Sequence, residues 1–156
     1  MEVKMVAVFK VHFMNQKELN DNLITAAKHG CKRKLRLLLS AGASHYGCNH
    51  KGQTALMEAS MSGHAEIIEI LCNHGANVNA RDRRGRTALM LAAKKGQVGA
   101  IEELITFGAD TDVQDYKGLS ALAFAADNDH IEAIEQLLTN DAERYLESSV
   151  DSEKVL

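Results

Sequence analysis

GRTALMLAA, residues 85–93, joins a turn glycine to a helix-capping threonine and then to a run of small and apolar residues. GQTALMEAS at 52–60 and GLSALAFAA at 118–126 begin 33 residues before and after it. Gly30, Gly63 and Gly96 keep the same step, as do Gly42, Gly75 and Gly108. One further step back brings Asp21 to the place of Thr54, Thr87 and Ser120. It brings Ala26 to the place of Ala59, Ala92 and Ala125. Several landmarks in one register define a repeat, and the chain divides into four units, 16–48, 49–81, 82–114 and 115–142.

Each unit reads as a pair of helices. Asp21, Thr54, Thr87 and Ser120 are residue types whose side-chain oxygen accepts from an orphan N–H at a helix start. The following short helix carries alanines where neighbours approach closely, and glycine at 30, 63 or 96 suits a left-handed end. A second helix, AEIIEILCNH in the second unit, sets Ile67, Ile68, Ile70 and Leu71 on a broad apolar face. NVNARDRRG and its counterparts then cross to the next unit as an extended turn. A helix pair of this size cannot bury both faces alone, so the units are expected to stack.

The order glycine, Thr-x-Leu, Ala, Gly-His, apolar helix, Gly-Ala-Asn-Val-Asn through residues 52–79 resembles the ankyrin repeat. The resemblance covers residues 16–142. It implies an all-α solenoid, four helix-turn-helix units joined by β-hairpin-like fingers, with polar capping units at both ends. Ala55, Ala88 and Ala121 stand where the family favours proline, and Met57, Met90 and Ala123 where it favours histidine. In the fourth unit Asp129 and Asp141 replace the two glycines, and Asp tolerates left-handed backbone.

The family likeness also implies a protein-binding concave face made of finger tips and exposed sides of first helices. Carried over by position, it names His50, Lys51 and Gln53; Arg81, Arg83, Arg84 and Arg86; and Tyr116, Lys117 and Leu119 on the fingers. Behind them come Glu58, Met61, Leu91, Lys94, Lys95, Phe124 and Asp127 on the helices. Four arginines crowded on one turn repel one another and have no packing role, so a protein partner with an acidic and apolar segment is expected. The implied function is a non-catalytic interaction module: adaptor, scaffold or inhibitor. Small family members also include cyclin-dependent kinase inhibitors, but their second unit is irregular, whereas residues 49–81 are the most regular here. Nucleic acid is the competing ligand. A net charge of −3, one finger aromatic and no groove-reading helix argue against it. By the same family analogy Asn79, with Leu71 upstream, occupies a place that intracellular ankyrin repeats can have hydroxylated.

The charge is graded along the chain: +5 over residues 1–48, −1 over 49–81, 0 over 82–114 and −7 over 115–156. At 156 residues, 46% hydrophobic and 25% charged, the chain fits one globular domain. Cys31, Cys48 and Cys72 lack CxxC pairing, which points to a reducing compartment, cytoplasmic with the nucleus as a further site. No apolar run reaches membrane-spanning length, and a monomer is expected.

Other motifs carry no chemistry. KRKLR at 32–36 has import-signal composition but reads as the solvated start of a helix with Leu35, Leu37 and Leu38 inward. His45, Cys48 and His50 supply at most three ligands and no second cluster, so no metal is expected. Cys72 reads as a small core residue, and His64 and His130 as structural starts of second helices. No catalytic order, phosphate loop or cofactor motif occurs. Gly99 inside a helix should cost about 1 kcal/mol relative to Ala. Residues 1–15 form an N-terminal extension, a strand by the alternation of Ala7, Phe9, Val11 and Phe13, or a capping helix by the stripe Met5, Phe9 and Phe13. Either would cover the first unit. Residues 143–156 read as an acidic mobile tail.

Overall fold

A computed structural model describes residues 2–153, with the side chains of 2–4, 7 and 148–153 outside the description. The register becomes a two-layer stack. First helices α2 (Gln16–Lys28), α4 (Ala55–Ser62), α6 (Ala88–Lys94) and α8 (Ala121–Asp127) pack successively against one another. Second helices α3 (Lys32–Ser40), α5 (Ala65–Asn73), α7 (Val98–Thr106) and α9 (Ile131–Glu153) form the other layer. A further helix, α1 (Glu2–His12), precedes them. The core runs continuously along the stack, with Leu23, Leu35, Leu38, Ile68, Leu71, Leu89, Ile101 and Leu104 sealed from solvent. Successive units share it, so no unit has a core of its own.

The caps follow the sequence in three units. Thr54 accepts from Met57 N at 3.3 Å, Thr87 from Met90 N at 3.4 Å and Ser120 from Ala123 N at 3.2 Å. The first unit differs. Asp21 lies inside α2, and Asn15 caps that helix, accepting from Glu18 N at 2.9 Å while Glu18 accepts from Asn15 N at 3.0 Å. This reciprocal box satisfies two orphan N–H groups and starts the helix earlier than the register did. First helices end on left-handed residues, and Asp129 (φ 56°) takes the place of Gly96 (φ 65°). Asp141 ends nothing: it sits within α9 and accepts from the Thr111 hydroxyl at 2.9 Å.

The ends also differ from expectation. α9 continues through Glu153, so residues 143–153 are helix where a mobile tail was expected; 154–156 lie outside the described residues. The N-terminal extension is helical, which removes the strand alternative. Its stripe of Met5, Phe9 and Phe13 faces solvent, and Val11 makes the buried contact instead. Both ends of the stack, expected to be polar, carry exposed apolar side chains. Among the described residues the fingers contain one isolated antiparallel bridge, Cys48 with Thr54, and no strand.

Candidate functional site

Each finger is folded by one acceptor. Asn49 Oδ1 accepts from Lys51 N at 2.9 Å and Gln53 N at 3.0 Å. Asp82 Oδ1 accepts from Arg84 N and Arg86 N, and Asp115 Oδ1 from Lys117 N and Leu119 N, all at 2.9 Å. A side chain that accepts from residues two and four ahead turns the backbone tightly and pushes the intervening residues outward. Neighbouring fingers are tied by backbone: Arg83 N donates to Lys51 O at 3.2 Å, and Tyr116 N donates to Arg84 O at 3.1 Å. The tips therefore form a ridge of fixed spacing.

The four arginines divide into two pairs. Arg86 is internal, its Nη2 2.7 Å from Asp82 Oδ2, with the two side chains 11% and 0% exposed. Burial pushes the Asp82 carboxyl up, but hydrogen bonds from the Arg86 side chain and the Arg86 and Arg84 backbone outweigh it. The net result holds the group below its ordinary value. Arg81 is a finger brace: Nε donates to Gly85 O at 3.0 Å, Nη2 donates to Gln114 O, and the guanidinium lies 5.3 Å from the Tyr116 ring centre. Arg83 and Arg84 are exposed, and among the described residues neither side chain makes an ion pair. Among the described residues, these two of the four make no such tie.

Beneath them lies an open groove of about 630 Å³. His50, Lys51, Met61, Arg83, Arg84, Arg86 and Lys95, all named from their places on the repeat, line it. Gln53 and Glu58 also border it but are largely buried, the amide of Asn49 donating to Gln53 Oε1 at 3.3 Å and to Glu58 Oε1 at 3.2 Å. Leu91 and Phe124, expected on the surface, are 2% and 9% exposed: those sides of the helices meet neighbouring units. Leu119 is half-buried against the core, and Lys94 is half-buried outside the groove lining. Tyr116, Lys117 and Asp127 are exposed, also outside that lining. Lys28 and Ser62 line the groove as well and were not among the positions named from the repeat. Lys28 stands one register step before Met61, and Ser62 one step before Lys95, so extending the repeat would have found both.

The remaining polar residues are structural ties. His64 Nε2 lies 3.1 Å from Lys28 O, Gln97 Nε2 donates to Met61 O at 3.2 Å, and His130 Nε2 lies 3.0 Å from Lys94 O. Each fastens a second helix to the preceding unit's first. Cys72 is half-buried; desolvation and then the Glu103 charge push its thiol up to about 11, which leaves it protonated near neutrality. His45 packs at a tilt against Tyr46 with ring centres 4.2 Å apart. Among the described residues no three His, Cys, Asp or Glu side chains come together as a metal site. Lys32, the first residue of KRKLR, pairs with Glu66 at 2.8 Å, and Leu35 and Leu38 are buried. Asn79 is exposed, its Oδ1 accepting from Asp110 N at 2.9 Å across the unit boundary. Among the described residues no helix is long and apolar enough to cross a membrane.

A family model described as ankyrin repeats (3 copies) matches residues 4–82 and 77–147. No curated protein matches the chain.

Proposed function

The chain belongs to the ankyrin repeat family, whose repeats are in general protein–protein interaction modules and typically non-catalytic, and from that premise we propose that it binds an acidic, partly apolar protein segment in the groove under Arg83 and Arg84. The observation that carries the reading is the division of the arginines. Arg81 braces the Tyr116 finger and Arg86 is paired with Asp82 at the wall of the groove, whereas among the described residues the other two project beside Lys51, Lys95 and Lys28 without a carboxylate partner. Half-buried Met61 offers an apolar floor between them. The cations give orientation and on-rate, and the apolar floor slows release. Because finger and helix positions are held by backbone bonds, little ordering is needed on docking.

The test is affinity capture on the wild-type chain and on Arg83→Glu/Arg84→Glu in parallel, followed by titration of the captured partner's acidic segment. The double variant is expected to lose the segment at least tenfold in affinity while keeping the helical circular dichroism signal. Equal retention by both proteins refutes the groove. A generic duplex that competes with the segment would assign the cations to nucleic acid instead.

A further inference from the structure

The two ends of the stack carry apolar faces of opposite charge context. In the fourth unit Leu122, Ala123 and Ile134 are half-buried, and Ala126 is exposed. Their register counterparts in the second and third units, Leu56 and Leu89, Met57 and Met90, Ile68 and Ile101, Ser60 and Ala93, are all 2% exposed or less. Leu138, on the same helix as Ile134, is 50% exposed. Elsewhere in the chain these positions are sealed by a following unit, and among the described residues nothing stacks on the fourth. Exposed Asp127, Glu132 and Glu135 lie on the same two helices.

At the other end α1 is apolar on opposed sides. Val11 turns inward at 8% exposure, while Met5, Val6, Val8, Phe9 and Phe13 remain between 55% and 75% exposed. The rings of Phe9 and Phe13 pack on each other with centres 5.2 Å apart. A cluster of exposed apolar side chains of this size marks a contact surface. Lys10 stands within this face, and Arg33 and Lys34 border the groove between α1 and α3. Residues 1–48 carry a net +5 and residues 115–156 a net −7.

We propose that chains associate head to tail, α1 of one copy seated on the open end of the fourth unit of the next. Charge decides the pairing. Two α1 faces would oppose lysine to lysine, and two fourth-unit faces would oppose acids, whereas head on tail joins unlike charge around two apolar patches. The contact is heterologous, so it repeats from copy to copy and produces chains or rings, not an isolated symmetric dimer. It differs from the monomer expected from the sequence. The finger groove lies off this axis, so each added copy would present another groove.

The test uses sedimentation equilibrium over a concentration series. The head is blocked by Phe9→Asp/Phe13→Asp and the tail by Ala126→Lys/Leu138→Lys, all at exposed positions, with helicity checked for each. The wild-type mass average is expected to rise past that of two copies. Each blocked variant alone should remain a single copy, and their equimolar mixture should stop at two, because one intact head meets one intact tail. Lys10→Glu should weaken wild-type association without touching an apolar side chain. The proposal is overturned if the wild type stays a single copy, if the tail-blocked variant still pairs with itself, or if the blocked variants fail to pair with each other.

Discussion

Asp82 folds a finger and holds Arg86 with the same carboxylate, and the two tasks are separable. Asn49 performs the first task in the preceding finger with an amide, so Asp82→Asn should keep the turn and lose the ion pair. Removing the cation is worse, because it leaves a buried carboxylate uncompensated: Arg86→Ala is expected to cost about 3 kcal/mol in urea unfolding. Arg83→Ala, at an exposed tip, should stay within about 0.5 kcal/mol. The pH dependence has a definite sign. With a folded value below the ordinary 3.8, Asp82 contributes stability that is present above 3.8 and lost as pH falls through the folded value. The urea midpoint of the wild type should therefore drop in that acid range, and the drop should be shallower in Asp82→Asn. Four arginines in six positions are visible in the sequence, but which two are spent is not. For Arg81 that depends on Gln114 and Tyr116, about one repeat further along the chain.

Among the elements, α7 contains an avoidable weakness. Gly99 is exposed, and a Cβ built there would meet no neighbour within 4 Å. Gly99→Ala should therefore stabilise the protein by about 0.5–1 kcal/mol, read as a higher thermal midpoint. Helix starts were legible wherever one residue decides them, as at Thr54, Thr87 and Ser120. The start of α2 was misplaced because the 33-residue register put Asp21 in the capping position, while the stronger local signal was Asn15 with Glu18 three residues on. α9 outran its expected length for a tertiary reason. Thr111 donates to Asp141 and accepts from Arg144 Nη1 at 2.9 Å, which fastens the start of the added stretch to the third unit. Amphipathic periodicity alone does not show such a tie. Nor did the sidedness of Leu91 and Phe124 follow from position on a helix, since burial there is set by the rest of the stack.

For the whole molecule, stability is expected to depend on place in the stack. Leu56 and Leu122 are register equivalents, one sealed between units and one half-buried at the end. Leu56→Ala should cost about 3 kcal/mol and Leu122→Ala about 1 kcal/mol, compared by urea unfolding of the two variants. Equal costs would contradict a stack in which each unit leans only on its neighbours. The charge gradient described from the sequence becomes, once the units are stacked, an axis running past the groove, from Lys28 and Lys51 through Arg83 and Arg84 to Asp127. A strand of ligand laid along its helix side meets Lys28 first and Asp127 last. The surface thus has a grain: a peptide and its reversed sequence share one composition, yet only one of them can match this order of charge without turning around.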